Sequence, residues 1–276
     1  MNAVARRLAR LFASSVRRGR NDAVAEPGIV VFACNICGTL CRAPMHALER
    51  EGSHCPACDC TMRYRAVVHH LSMALFGRSL CIDAFPASGR TMTGIGMSDA
   101  RRYAKRLAAR LDYTNTYYHK APRLDVLEPP REYLARFRFI VSSDVLEHVA
   151  PPIDRAFSNL HAMLVAGGTL VLTVPFAIDG DTIEHYPDLH DYRIEQRAGG
   201  PVLVNRTIDG RVQEFDGPVF HGGPGSTLEM RLFSEGALLR HLHGAGFRDV
   251  RIHREPALAC GIDWAHPWSV PITAIA

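Results

Sequence analysis

The sequence predicts an α/β chain: a parallel sheet covered by helices, preceded by a small metal module held by cysteines. Three observations carry this prediction. Two Cys-x-x-Cys pairs, Cys34/Cys37 and Cys55/Cys58, stand seventeen residues apart near the N-terminus. From Ser79 onward, short apolar runs alternate with stretches whose apolar residues recur at helical spacing, the pattern of strands linked by helices. The chain has 276 residues, enough for one large α/β domain with a small appendage.

The first segment, residues 1–27, opens with six arginines and no acid in twenty residues. Val4, Leu8, Leu11 and Phe12 share a helical face there, giving a short basic amphipathic segment or a frayed tail. No continuous apolar stretch follows these charges, so the segment does not read as a secretory signal.

Residues 28–62 read as a zinc ribbon. Of the eight cysteines, six fall between positions 34 and 60, a clustering suited to metal and to a reducing cytoplasm rather than to disulfides. Tetrahedral zinc takes four soft ligands, and two tight knuckles supply two thiolates each: Cys34, Cys37, Cys55 and Cys58. Such turns often need positive φ just past the second cysteine, where Gly38 and Asp59 stand. Cys41 and Cys60 lie outside the knuckles. A segment this short cannot bury enough apolar surface alone, so the ion is expected to be structural. A helix is expected over Met62–Phe76, with Val67, Leu71 and Leu75 on one face, Gly77 at its end and Arg63 and Arg65 solvated at its start.

The region 63–276 then supplies the larger domain. A strand is expected at 80–85, ending at Pro86, then a helix over 99–111 capped by Ser98 or Asp99. Strands follow at 113–118 and 139–143, the latter ending at Asp144. Ile153, Phe157, Leu160 and Leu164 form the next helical stripe, which stops at Gly167-Gly168 before a strand at 169–174. The longest apolar run, 168–178, is interrupted by Pro175 and is too short for a bilayer, which needs roughly 18–20 residues. Residues 176–225 break the rhythm, with a polar stretch at 179–192, a hairpin at 202–215 around Asp209-Gly210, and a glycine-rich loop from His221. Regular structure resumes with a strand at 228–233, a helix at 234–243 and a strand at 247–253.

Two stretches resemble the fourth and fifth strands of class I S-adenosylmethionine-dependent methyltransferases. They are Phe139-Ile-Val-Ser-Ser-Asp-Val-Leu-Glu-His-Val149 and Leu164-Val-Ala-Gly-Gly-Thr-Leu-Val-Leu-Thr-Val-Pro175. Leu232-Phe-Ser-Glu with Ala245-Gly-Phe247 is similar to that fold's last helix and strand. The resemblance implies a Rossmann-like seven-stranded sheet with one antiparallel strand, helices on both faces, and S-adenosylmethionine as methyl donor.

It also implies donor-binding positions. Gly94 and Gly96 stand where a glycine-rich turn would let backbone approach the donor. Asp83 matches the acid that precedes the family's glycines, Asp99 takes the place of the ribose-binding acid, Asp125 resembles the aspartate beside the adenine amine, and Asp144 ends the fourth strand. The family's several glycines after the first strand are reduced to Gly89 in Asp83-Ala-Phe-Pro-Ala-Ser-Gly89.

In methyl transfer the protein aligns acceptor, methyl and sulfur, and a base helps when the acceptor is a neutral hydroxyl. His185, His190 and His221 are the candidate bases, with Tyr186, Asp191 and Tyr192 close in sequence; Glu147 and His148 read as structural. The leading expectation is a cytoplasmic methyltransferase with a small-molecule or glycan-type acceptor, the insertion 176–225 covering it. A net charge of +4 is mild for an RNA track. A ribbon before this fold nevertheless resembles some ribosomal RNA base methylases, so RNA is the alternative acceptor. A non-catalytic binding protein is the third reading, suggested by the reduced glycine motif.

Overall fold

The computed structural model describes residues 28–221 and 227–276; the basic segment 1–27 and positions 222–226 lie outside the described residues. The chain divides into two compact units, Met1–Asn115 with Arg254–Ala265, and Thr116–His253 with His266–Ala276.

The first unit opens with an antiparallel pair, β1 (Ile29–Ala33) and β2 (Leu40–Pro44), in register from Ile29 opposite Pro44 to Ala33 opposite Leu40. Helix α1 (Met62–Phe76) begins at Thr61, whose hydroxyl accepts the Tyr64 N–H, and stops at Gly77, which takes a φ of +67°. Val67 and Leu71 are fully buried.

Arg65 corrects the expectation of a solvated helix start. It is fully buried, and its guanidinium donates to the carbonyls of Ser53 (2.8 Å), Cys60 (3.1 Å), Cys260 (2.9 Å) and Gly261 (3.0 Å) while stacking 4.8 Å over Phe32. Its fork of donors lets a buried cation satisfy backbone oxygens from three chain segments. Arg63 instead pairs with Glu51.

The strand expected at 80–85 is absent. A 3-10 turn, Ile82–Ala84, occupies that stretch, and a second, Ala87–Thr91, follows Pro86. Cys81, Ile82 and Phe85 are buried all the same, and the Ile82 N–H donates to Asn35 O at 2.9 Å instead of to a sheet neighbour. Pro86, lacking an N–H, ends any ladder there. Strand β3 (Thr93–Met97), helix α2 (Arg101–Ala108) and strand β4 (Asp112–Thr116) follow. Helix α2 is shorter than expected, and neither Ser98 nor Asp99 caps it; its N-cap position is Ala100.

The second unit contains β5 (Phe137–Ser143), α3 (Ile153–Met163) and β6 (Leu164–Thr173), with β5 and β6 parallel. Helix α3 buries Ile153, Phe157 and Leu160 as its stripe requires. The insertion forms an antiparallel sheet of β7 (Asp191–Arg197), β8 (Gly200–Arg206) and β9 (Val212–Asp216), with Gly210 at +85° in the β8–β9 turn. Strand β10 (Arg231–Ser234) leads into α4 (Glu235–Gly244), capped by Ser234; then come β11 (Arg248–Ile252) and β12 (Ile272–Ile275).

Within this unit the main sheet runs β11-β12-β6-β5, and β12 is antiparallel to both neighbours. The result is an α/β fold with a mixed sheet. The sheet of the second unit has four strands among the described residues, and β3 and β4 belong to the first unit; the seven expected strands are not all present there. The stretch 80–85, turned instead of extended, does not contribute one.

Candidate functional site

The cysteine quartet is in the first unit. The sulfurs of Cys34, Cys37, Cys55 and Cys58 all lie within 4.8 Å of one another. Cys34 to Cys58 is 3.7 Å and Cys37 to Cys55 is 3.6 Å. Tetrahedral zinc with bonds of about 2.3 Å has sulfur–sulfur edges of roughly 3.8 Å, so the quartet fits such an ion. Two similar knuckles create this geometry. The N–H of Gly38 donates to Cys34 O and that of Asp59 to Cys55 O, each at 2.7 Å, with positive φ at Gly38 (+79°) and Asp59 (+55°). Burial pushes the Cys34 and Cys58 thiols well above their ordinary range, so gathering thiolates here calls for a compensating cation. Cys55 goes the other way, to about 7, because N–H groups of Ala57 and Cys58 outweigh its burial. Cys41 lies 3.8 Å from Cys55 but outside the quartet.

Four of the expected donor contacts also belong to the first unit, and their surroundings argue against that role. Asp83 is half-exposed and pairs with Arg106 (3.3 Å) and Arg110 (4.0 Å). Gly94 and Gly96 lie inside strand β3, not in a turn. A Cβ on Gly96 would overlap the Tyr113 hydroxyl and the Asp99 carboxyl, so this glycine makes room for a side-chain pair, not for a ligand. Asp99 is buried and accepts the Tyr113 hydroxyl. Burial raises its pKa to about 7, offset in part by the Tyr103 and Tyr113 hydroxyls. A carboxyl enclosed by two tyrosines is not available to a ribose.

The second unit gathers acid and imidazole groups around the carboxyl end of β5. Asp144 has a φ of +54°; its N–H donates to Thr173 O (2.8 Å), and its Oδ1 accepts the Thr173 hydroxyl (3.0 Å). The ends of two parallel strands are thereby tied together, the position at which open α/β sheets take ligands. The 3-10 turn Leu146–His148 comes next. Arg231, fully buried, holds it by donating to Leu146 O (3.2 Å), Val149 O (2.6 Å) and Glu184 Oε1 (2.7 Å).

Glu147 is fully buried on that turn. His148 Nδ1 lies 2.8 Å from Leu228 O, an atom that only accepts, so Nδ1 carries the proton and Nε2 the lone pair of the neutral ring. Burial lowers the His148 pKa, with His221 adding to the effect and the Leu228 bond, Glu229 and Asp144 opposing it. His148 Nε2 is 3.7 Å from Glu147 Oε1, and His221 Nδ1 is 4.0 Å from the same oxygen. The three ligand atoms lie within 4.8 Å of one another.

The expected bases separate. His185, half-buried, pairs its Nε2 with Glu229 at 3.2 Å. His190 is exposed, and its backbone N–H is held by the buried Asn205. Tyr186 belongs to a core with Leu189, Leu203, Leu228 and Met230, its oxygen accepting the Val219 N–H. Asp191 and Tyr192 are exposed at the start of β7. Asp125 shapes a turn by accepting the Leu127 N–H at 2.9 Å. Glu147 and His148, read from sequence as structural, are the central residues of the cluster. The Leu-Glu-His-Val element signals them, but their partner His221 is 73 positions beyond His148.

No protein-family model and no curated protein matches the chain. Solved structures similar to it include the 1,6-didemethyltoxoflavin-N1-methyltransferase of Burkholderia thailandensis with S-adenosylhomocysteine, at 18% identity over 77% of this chain and 88% of that one, TM-score 0.38. The glycopeptide N-methyltransferase MtfA with S-adenosylmethionine is similar at 14% identity, 67% and 86% coverage and TM-score 0.38. Streptomyces venezuelae DesVI follows at 12% identity, 76% and 91% coverage and TM-score 0.40. At these values no activity passes from those proteins to this chain.

Proposed function

We propose that the chain is an S-adenosylmethionine-dependent methyltransferase with a small-molecule or glycan-type acceptor. Residues 28–62 form a structural zinc ribbon and 63–276 the catalytic domain, and the protein acts in the cytoplasm. The observation that carries this reading is Asp144, fixed by Thr173 where parallel β5 and β6 end, with Glu147, His148, His185 and Glu229 on the segments that follow.

When bound, the donor supplies an electrophilic methyl on a positive sulfur. Asp144 and Asp125 are the carboxylates assigned to hold it. Glu229 orients His185 through Nε2, leaving Nδ1 to take the acceptor hydroxyl's proton. The insertion 176–225 covers the acceptor side, with its Tyr186, Leu189 and Leu203 packed against Leu228 and Met230. His190 has no part in this assignment because it faces solvent.

One observation favours a second reading. Gly96 and Asp99 are committed to packing, and Asp83 to arginines, so neither of these two carboxylates is an open ribose acid. This fits a binding protein of the same fold without catalysis. Calorimetry with S-adenosylhomocysteine separates the two. The first reading expects binding in the micromolar range, weakened at least tenfold by Asp144→Ala and unchanged by His185→Ala. Absence of binding at near-millimolar ligand leaves the second.

A further inference from the structure

We infer that Glu147, His148 and His221 form an open site for a divalent transition-metal ion, distinct from the cysteine quartet. The presence of the site is independent of the methyl-transfer reading; only its use on an acceptor rests on that reading.

Three features converge on a metal. The first is spacing. Both imidazole nitrogens face one carboxylate oxygen, at 3.7 and 4.0 Å, too far for hydrogen bonds. Two donors bound at about 2.0–2.1 Å to one ion stand from roughly 3.3 Å apart at tetrahedral angles to about 4 Å when opposed. Both pairs exceed the tetrahedral edge by only about 0.4–0.7 Å, a gap that small side-chain rotations close around a single ion.

The second is the state of His148. Its Nδ1–H is fixed on Leu228 O, so the lone pair at Nε2 is turned toward Glu147. A metal-bound imidazole almost always makes this outer bond, which sets the tautomer and the ring plane. The His221 ring stands edge-on to it, centroids 5.3 Å apart at 80°.

The third is rigidity under a buried acid. Glu147 is fully buried, and Arg231 fixes the backbone on both sides of the turn that carries Glu147 and His148. One negative oxygen with two imidazole nitrogens within 4.0 Å of it is a donor set that a divalent ion binds, the carboxylate offsetting part of its charge. Two nitrogens and one oxygen suit zinc and cobalt better than magnesium or calcium, which prefer all-oxygen sets. Three protein ligands leave a position open, as catalytic rather than structural ions do.

The open position takes an oxygen acceptor. An ion held there would acidify a hydroxyl placed at its open position. His185, its Nε2 paired with Glu229, would take that proton at Nδ1, leaving the oxygen the electron pair for the new bond to the methyl carbon. The methyl–sulfur bond breaks with its electrons going to sulfur, and the donor leaves as a neutral thioether. The substrate class is thus a hydroxyl or enol acceptor, in preference to an amine.

The test is cobalt(II) titration of the reduced, metal-free full-length protein, with ions counted by equilibrium dialysis. Two ions per chain are expected, one with strong thiolate-to-cobalt absorption and one with only weak ligand-field bands. His221→Ala, a change at a half-exposed side chain, should weaken the second ion at least tenfold and leave the thiolate band intact. Glu147→Gln should do the same, and Cys37→Ser should remove the thiolate band while the weak bands persist. A single ion per wild-type chain, or wild-type affinity for the second ion in His221→Ala, overturns the proposal. Donor binding is measured separately: a second ion without donor binding keeps the site and ends its use in methyl transfer, whereas donor binding with only one ion does the reverse.

Discussion

Asp99 offers a direct test of how the first unit is built. Its carboxyl is buried between Tyr103 and Tyr113, and burial lifts its pKa from 3.8 to about 7. A folded-state pKa above the unfolded value means that the native state holds the proton more tightly. Stability from this group is therefore complete below pH 3.8 and falls as pH rises toward 7, because unfolding releases a proton across that window. At about 1.36 kcal/mol per unit, the full loss approaches ~4 kcal/mol, of which roughly 2 kcal/mol falls between pH 5.5 and 8. Asp99→Asn keeps an oxygen to accept the Tyr113 hydroxyl and removes the titration. Urea unfolding of wild type and variant at both pH values gives the double difference, in which metal loss common to both proteins cancels. The variant should gain about 2 kcal/mol on wild type between the two conditions. A gap that does not move with pH would show that Asp99 is ionised in the native protein, and the account of Gly96 and Tyr113 around it would fail.

Two further outcomes follow from named contacts. Gly96→Ala should destabilise by about 1–3 kcal/mol, read as a lower urea midpoint, because the added methyl overlaps Tyr113 and Asp99. Arg65→Met should cost on the order of 3 kcal/mol or more by leaving four carbonyls, three of them buried, without their donor, and it should speed amide exchange at 254–265.

Legibility in the sequence followed the range of the interaction. The helix at Met62–Phe76 and the stripe of Ile153, Phe157 and Leu160 rest on local spacing and caps, which a sequence displays. The knuckles were legible for the same reason, since Cys, x, x, Cys and a residue tolerant of positive φ are contiguous. The run at 80–85 misled because apolar composition reports burial without reporting how the burial is achieved; Ile82 is buried through a bond to Asn35, 47 positions earlier. Gly-x-Gly misled similarly: Gly96 is required by Tyr113, whose approach no local pattern announces. For the acid–imidazole cluster, Asp144 and His185 were visible as residue types at suggestive places. The surroundings of Glu147 are supplied by His221 and by the Arg231-held turn, both remote in sequence. The exposure of His190 is not legible either, because density of polar residues does not show which of them face solvent.

The guanidinium of Arg65 also sets a timetable. Two of its four acceptors, Cys260 and Gly261, are 195 and 196 positions downstream. At roughly 5–20 residues per second, a ribosome needs about 10–40 s to reach them after Arg65 has been made. During that interval the cysteine module can gather its sulfurs, but the cation beside it lacks half of its native oxygens. The cysteine-bearing unit therefore closes only after residues 116–253, which separate its two segments, have been synthesised.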